Sequence, residues 1–217
     1  MKKYEAILNR FVGFDMFKDW TQFPFNVGKK SGATNAKAVV ITPYIKDYPD
    51  QTNTIAPLLP EKNILKVFSV SELKEKLALI PMVDCYDEIT TECEACEGAG
   101  TVDYIFEYKG REYETTDDCP FCEGEGETNK ESEIPNGKKE YDLLYGIMLH
   151  QSAFNAERLD ELLFVAETLE CSEIKLVSQL TPTAASFFEL KDVDVLLMPL
   201  NIHILEPQFI VGSIDFK

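Results

Sequence analysis

The sequence contains the same cysteine–glycine pattern twice, and this repeat constrains the fold more than any other feature. The pattern is C-x-x-C-x-G-x-G, and it runs from Cys93 to Gly100 and again from Cys119 to Gly126. Two thiolates three residues apart on a tight turn can bind one side of a tetrahedral Zn²⁺ ion. The glycines after the second cysteine allow positive φ angles and let backbone N–H groups approach the sulfur atoms.

Two copies of the pattern supply four ligands, which is a complete set for a structural zinc site. We therefore predict that one Zn²⁺ ion is bound by Cys93, Cys96, Cys119 and Cys122. Four cysteines leave no open coordination position, so the metal is expected to be structural and not catalytic.

Two alternatives would use the same cysteines. Disulfide bonds fit poorly, because the chain shows no secretory signal. A redox C-x-x-C motif would follow a strand and open a helix, whereas here glycines follow each pair. Cys85 and Cys171 lack such a pattern and are interpreted as buried apolar cysteines, although an auxiliary ligand role stays open for Cys85, close before Cys93.

The 22 residues between Cys96 and Cys119 explain how the two halves of the site meet. Residues 101–108 and 111–115 are rich in β-branched and aromatic side chains, which favours strands. Lys109-Gly110 between them can form a two-residue turn. The resulting β-hairpin would bring both cysteine pairs together at its open end.

This segment resembles the cysteine-rich zinc region of the DnaJ co-chaperones. That family has four C-x-x-C-x-G-x-G modules and two zinc ions, whereas this chain has two modules, enough for one ion. The resemblance is specific for the metal and not for chaperoning. A J-domain His-Pro-Asp motif is absent, because the two histidines read His150-Gln151-Ser152 and His203-Ile204-Leu205.

Acidic residues are concentrated in the same part of the chain. The net charge is −17, and residues 84–133 alone hold 17 acidic and three basic side chains, a balance of −14. Phosphate binding needs clustered lysine and arginine, so direct nucleic-acid binding through this segment is not expected. The charge is interpreted either as a solvated surface that aids solubility or as a docking face for a basic protein partner.

The remainder of the chain is typical of a folded domain. Hydrophobic residues make up 45% and charged residues 27% of the 217 positions, which excludes wholesale disorder. No apolar run approaches the ~18 residues of a membrane span, and no signal-peptide core follows the first residues, so a cytoplasmic protein without membrane contact is expected.

The sequence predicts two domains. Residues 1–84 and 136–217 form a body, and residues 85–135 form an inserted zinc finger. A turn predicted at Pro135-Asn136-Gly137-Lys138 returns the chain to the body.

Helix and strand patterns in the body predict an α+β fold, because helices do not alternate with strands. The clearest helix spans residues 155–169 with Asn155 as N-cap, a second spans residues 71–80 with Ser71 as N-cap, and a short one lies within residues 1–17. Strands are predicted at residues 23–27, 33–42, 64–68, 141–149, 174–180, 184–190 and 193–198, and a final strand or hairpin at 202–205 and 209–216.

The second half of the body resembles the final domain of the bacterial DNA polymerase sliding clamp (β clamp). The residues that carry this resemblance are Phe154-Asn155 and the leucine-rich helix to Leu163, then Glu173–Leu176, Thr181-Pro182 and Val195–Leu200; upstream, Ala33–Ala36 is similar to the start of a clamp strand. The resemblance implies a single clamp-like domain made of two sheet-plus-helix halves, whereas the family has three such domains. Its DNA-facing helices are basic, but the helix at 155–169 has only Arg158 against four acidic residues, so encircling of DNA is not expected.

No motif in the sequence indicates catalysis. There is no G-x-x-x-x-G-K-[ST] phosphate loop, no G-x-S-x-G elbow and no H-E-x-x-H, and His203 is interpreted as a half-buried strand residue. The sequence therefore predicts a non-enzymatic zinc-binding scaffold that docks proteins, as an accessory of DNA metabolism of phage or mobile-element origin. Three alternatives stay open: a client-polypeptide-binding zinc module, a DNA-binding protein and a thiol oxidoreductase.

Overall fold

The computed structural model describes residues 1–13, 19–51, 63–200 and 209–214, which fall into two compact units. The first unit comprises Met1–Pro81 and Tyr141–Lys217, and the second comprises Met82–Glu140. In the described residues, three α-helices and 14 strands form a mixed α+β structure, the class that the sequence predicts.

The helices are α1 (Lys2–Arg10), α2 (Val70–Leu77) and α3 (Ala156–Thr168). The strands β1 to β4 are Phe25–Val27, Lys30–Thr34, Ala38–Pro43 and Lys66–Ser69, and the strands β5 to β8 are Met82–Glu92, Thr101–Tyr108, Arg111–Asp118 and Glu127–Tyr141. The strands β9 to β14 are Gly146–Leu149, Ser152–Asn155, Glu173–Gln179, Ser186–Leu190, Val193–Leu197 and Ile210–Ile214. Within the described ranges, every helix is too short or too polar to cross a lipid bilayer.

A seven-stranded antiparallel sheet forms the centre of the first unit. Its strand order is β1-β2-β3-β13-β12-β11-β4. Strand β13 lies in the middle, and all five of its residues are buried, as expected where both faces of a strand are covered. A second sheet has the order β10-β9-β14, in which β14 runs parallel to β9.

Three phenylalanine rings from separate elements meet in the core of this unit. The ring of Phe188 packs edge-to-face on Phe68 and on Phe154, with centroid distances of 6.4 and 6.2 Å. Helix α3 adds its apolar stripe, and the buried members of that stripe are Leu159, Leu162, Val165 and Ala166. The first unit thus has a hydrophobic core of its own.

The two capped helices differ in how well the sequence predicts their start. Helix α3 begins as predicted, and the Asn155 side chain accepts a hydrogen bond from the Arg158 N–H at 3.1 Å. The predicted cap of α2, Ser71, is wrong: Ser69 is the N-cap, and its Oγ accepts a hydrogen bond from the Glu72 N–H at 3.1 Å. Serine is a preferred N-cap residue and stands at both 69 and 71, so residue type alone does not show which of the two is the N-cap.

The predicted strand at 33–42 is in fact two strands, β2 and β3, joined by a tight turn. Ala36 in this turn has a φ of 68°. The Asn35 Oδ1 accepts hydrogen bonds from the N–H groups of Lys37 at 3.2 Å and Ala38 at 2.8 Å. An asparagine side chain that bonds the following backbone favours a turn over a continuous strand. The predicted strand at 202–205, with His203, lies outside the described residues.

The second unit consists of two two-stranded ribbons, β6–β7 and β5–β8. In the first ribbon, Tyr108 pairs with Arg111 across Lys109-Gly110, and the register continues to Thr101 and Asp118. Both turn residues have positive φ, 54° and 67°, which suits a two-residue hairpin turn. The hairpin therefore lies where the sequence predicts it.

The second ribbon was not predicted, and the turn predicted at 135–138 is wrong. These four residues lie inside β8, which pairs with β5. Cross-strand polar contacts hold the ribbon: Lys139 Nζ lies 3.3 Å from Asp84 Oδ1, and Asn136 Nδ2 donates to Asp87 Oδ1 at 2.7 Å. Both strands are exposed along most of their length, and even their large apolar side chains, such as Tyr86, Ile89 and Ile134, lie at the surface. Neither strand therefore shows the alternating pattern that marks a half-buried strand.

Candidate metal centre

The four cysteines of the repeat come together in the second unit. Their Sγ atoms all lie within 4.8 Å of one another. The Sγ of Cys93 is 4.0 Å from that of Cys119, and the Sγ of Cys96 is 3.7 Å from that of Cys122. A disulfide requires a distance of about 2 Å, and all four cysteines are free. The cluster could therefore hold one metal ion between four sulfur atoms.

The cysteine cluster is also the only buried part of its unit. The structure describes every residue from 82 to 140, and the buried ones are Cys93, Cys96, Gly100, Cys119, Cys122 and Gly126. The half-buried Val102 packs against the cysteines. Because two-stranded ribbons are marginally stable unless one face packs on something, the cluster has to supply the stability that an apolar core supplies elsewhere.

The two cysteine–glycine modules are bonded to each other reciprocally. The N–H of Cys93 donates to the carbonyl of Gly126, and the N–H of Cys119 donates to the carbonyl of Gly100, both at 2.8 Å. The same bond is thus made in both directions, which gives the site a local two-fold character. Each module positions the first sulfur of the other.

Backbone N–H groups also reach the second sulfur of each module. The N–H of Gly100 donates to Cys96 Sγ at 3.3 Å, and the N–H of Gly126 donates to Cys122 Sγ at 3.2 Å. Such bonds favour the charged thiolate over the thiol. These contacts confirm the role predicted for the glycines from their position in the pattern.

Each module needs positive φ at three residues, one more than its two glycines provide. The left-handed residues are Glu97, Gly98 and Gly100 in the first module and Glu123, Gly124 and Gly126 in the second. The glutamates were missed, because glutamate is not a typical left-handed residue. The available signal was the repeat itself, since both modules have Glu-Gly at this place.

The last glycine of each module is required by a close approach of the other module. A Cβ on Gly126 would lie 2.5 Å from the carbonyl oxygen of Gly98, and one on Gly100 would lie 2.4 Å from that of Gly124. We expect Gly126→Ala to push the modules apart and to weaken metal binding at least about tenfold, which corresponds to ~1.4 kcal/mol. Competition with a chromophoric chelator would measure the loss.

The matched control for this prediction is Gly110→Ala. Gly110 also has positive φ, 67°, but a Cβ there meets nothing within 4 Å. This variant bears the cost of a left-handed alanine, roughly 1–2 kcal/mol, which Gly126→Ala bears as well, so its metal affinity should stay at least about tenfold above that of Gly126→Ala. Equal metal affinities for Gly126→Ala and Gly110→Ala would show that the close approach does not matter.

The two cysteines of the first module have different protonation behaviour. Burial by itself raises the pKa of Cys93, but hydrogen bonds from the N–H groups of Cys96 and Ala95 and from neighbouring thiols outweigh it, so its pKa is about 7. Burial raises the pKa of Cys96 to about 11, although the Gly100 N–H opposes this shift. Since metals bind thiolates, binding at this cluster must displace protons.

Cys85 and Cys171 lie outside the cluster. Both are half-buried, whereas the sequence predicts that they are buried. Burial and the neighbouring Glu140 carboxylate raise the pKa of Cys85. Cys171 packs against the core of the first unit, and burial raises its pKa. The auxiliary ligand role left open for Cys85 finds no support, because its sulfur is not part of the four-cysteine group.

Comparison with models of protein families gave no match, and comparison with curated protein sequences gave none either. Comparison with solved structures returned DNA polymerase sliding clamps. The sliding clamp of Bacillus subtilis is 8% identical to this chain and has a TM-score of 0.49, and the match covers 92% of this chain and 62% of the clamp. The clamp of Bartonella birtlesii is 9% identical and has a TM-score of 0.47, and the match covers 92% of this chain and 63% of the clamp. A Pseudomonas aeruginosa clamp has a TM-score of 0.45 at 11% identity over 92% of this chain and 64% of the clamp. The chain thus spans less than two thirds of the length of these clamps.

Proposed function

We propose that this chain is a non-enzymatic protein whose residues 82–140 form a docking arm, held in shape by one structural Zn²⁺ ion. The four ligands would be the sulfur atoms of Cys93, Cys96, Cys119 and Cys122. The observation that carries the proposal is the burial pattern, because the only buried residues of the arm are these cysteines and two glycines. A metal bound there would take the place of a hydrophobic core.

The chemistry of the cluster favours zinc and a structural role. Tetrahedral zinc with Zn–S bonds of about 2.3 Å places its sulfur atoms ~3.8 Å apart. Two of the cross-module sulfur–sulfur distances, 3.7 Å for Cys96–Cys122 and 4.0 Å for Cys93–Cys119, agree with this value. Four thiolates fill all positions of a tetrahedral ion, so no position is left for a substrate or an activated water.

The surface of the arm supports docking of a protein. Apart from the metal cluster, its side chains are exposed or half-buried, and they include many acidic groups and several large apolar ones. Exposed apolar side chains on a rigid scaffold are typical of interaction surfaces. The acidic excess favours a basic partner and disfavours nucleic acid.

We place this docking in DNA metabolism because the sequence from 154 to 200 resembles the β clamp. Direct contact between DNA and α3 is disfavoured, since its one basic residue is buried in an ion pair. The Arg158 guanidinium is 2.9 Å from Glu161 Oε1, and Arg158 is only 5% exposed. A role through protein partners fits this arrangement better than encircling of DNA.

The proposed function predicts a partner that binds only the metal-loaded arm. Partner proteins would be captured from the native host with three immobilised chains: the wild type, Cys96→Ser and the control Cys171→Ser. Each captured protein would then be purified, and its binding to each of the three chains would be measured. We expect one zinc ion per chain for the wild type and Cys171→Ser, none for Cys96→Ser, and a partner that binds only the first two. Equal binding of that partner to Cys96→Ser would contradict the proposal.

A second candidate function is the binding of unfolded client polypeptides. It is favoured by the large apolar side chains exposed on the arm, among them Phe106 at 52% and Phe121 at 76%. This function would be tolerant of partner sequence, and the metal-loaded chain would suppress aggregation of a model client. A partner bound only as a defined protein or sequence would decide against it.

A further inference from the structure

The hairpin β6–β7 has two chemically different faces. Its register sets Phe106 opposite Tyr113, and side chains alternate between the faces along each strand. The first, called the aromatic face, carries Tyr104, Phe106, Tyr108 and Tyr113 with Arg111. The second, called the acidic face, carries Asp103, Glu107, Glu112, Glu114 and Asp118.

The aromatic face is uncovered. The exposed fractions of its rings are 41% for Tyr104, 52% for Phe106, 57% for Tyr108 and 42% for Tyr113. Phe106 and Tyr113 already stack on each other, with centroids 5.4 Å apart and ring planes 14° from parallel. An aligned set of exposed rings on a defined scaffold gives a partner a large contact area with little side-chain entropy to lose.

The backbone of β7 offers a second means of binding. The sheet has only two strands, so the outer edge of β7 has no neighbouring strand in the described residues. The strand is eight residues long and contains no proline. Such an edge can accept an additional strand, because its outward N–H and C=O groups lack ladder partners.

Charge selects the kind of strand that fits. Residues 84–133 have a balance of −14, which repels nucleic acid and a second copy of the same hairpin. A basic segment would instead be attracted, and the rings can also hold cations. The Lys109 Nζ already lies 5.1 Å from the centroid of the Tyr108 ring, as in a cation–π contact.

We propose that the edge of β7 binds an extended protein segment in which apolar and basic residues alternate. The alternation follows from the pleat, since an added strand would direct every second side chain to the aromatic face and the others to the acidic face. Apolar side chains would pack on Tyr113, whose ring already stacks on Phe106, and lysine or arginine would meet Glu112 and Glu114. This inference rests on the proposed docking function and specifies its partner class.

The test is a binding titration of the full-length, zinc-loaded chain with three labelled eight-residue peptides. One alternates valine and lysine, one has the same composition in two blocks, and one alternates valine and glutamate. Fluorescence anisotropy should give an affinity at least about tenfold higher for the first peptide than for the blocked one, and no binding of the third. Equal affinities for the alternating and blocked peptides would overturn the proposal.

Matched variants locate the site on the hairpin. Phe106→Ser combined with Tyr113→Ser should weaken binding of the valine–lysine peptide at least about tenfold, because buried aromatic anchors dominate interfaces. Ile105→Ser, at a 64% exposed position on the acidic face, should change it less than about twofold. Glu112→Lys combined with Glu114→Lys should transfer the preference to the valine–glutamate peptide, and an unchanged preference would contradict the assignment.

Two controls separate this inference from the proposed function. Zinc content is measured on every sample, and it also reports whether the hairpin variants remain folded. A zinc-loaded chain that does not prefer the alternating basic peptide contradicts the inference alone, whereas a chain that binds no zinc contradicts the proposed function as well. Tighter binding of an oligothymidine, or dimerisation through the hairpin, would identify a different occupant and overturn the proposal.

Discussion

Replacing Cys119 with serine is expected to release the metal and to unfold residues 82–140. Cys119 is fully buried, and the other buried residues of this unit are three cysteines and two glycines. Structural zinc contributes on the order of 10 kcal/mol to the folding of small zinc peptides, far more than a ribbon of this size can replace. Hydrogen exchange read by mass spectrometry should show full loss of protection in this segment.

The first unit should keep its protection in the same experiment. It has its own phenylalanine core, and the two chain segments that form it are tied by a 2.9 Å hydrogen bond from the Asp142 N–H to the Pro81 carbonyl. Cys85→Ser is the matched control, because Cys85 belongs to the same unit but lies outside the cluster. If Cys119→Ser retained one equivalent of metal and a protected segment, the metal would not be the core of this unit.

Arg158→Met is expected to cost ~3–5 kcal/mol of the free energy of unfolding of the first unit, because it leaves the Glu161 carboxylate buried and unpaired. The side chains of this pair are only 6% and 5% exposed, with 2.9 Å between Arg158 Nη1 and Glu161 Oε1. Asn35 Nδ2 also donates to Glu161 Oε1 at 2.7 Å, and Glu161 Oε2 has no partner among the described residues. Urea denaturation would measure the loss.

A double variant and a pH series test the cause of this loss. Arg158→Met with Glu161→Met removes both charges and should regain most of the stability.

Burial raises the pKa of Glu161, although Arg158 and Asn35 oppose the shift. The Glu161 carboxyl therefore binds its proton more tightly in the folded state than in the unfolded state. Its contribution to stability is complete below the ordinary pKa of glutamate and is lost as the pH rises through the pKa of the folded state. The deficit of Arg158→Met should thus shrink as the pH falls from 7 to 5, and a deficit independent of pH would argue against a buried charge.

The candidate metal centre could be predicted because its determinants are local in the sequence. The cysteine spacing sets each half of the site, and the strand pattern on either side of Lys109-Gly110 brings the halves together. Helix α3 was predicted for the same reason, since its cap and its apolar stripe lie within one short segment.

Features that depend on distant parts of the chain could not be predicted. Strand β3 lies beside β13, so residues near position 40 pair with residues near position 195, and no local pattern indicates this. The sequence also does not show that Arg158 is buried with Glu161, because Asn35 contacts Glu161 from the distant turn between β2 and β3. The ribbon β5–β8 was missed because its stability depends on cross-strand polar pairs and not on a buried face.

The most direct measurement is zinc K-edge X-ray absorption on the purified full-length chain. The four-cysteine site predicts one zinc ion per chain and a single shell of four sulfur atoms at about 2.3 Å, with no nitrogen or oxygen ligand. A shell that contains nitrogen or oxygen, or a chain that holds no metal because its cysteines are joined as disulfides, would contradict a zinc-stabilised docking arm.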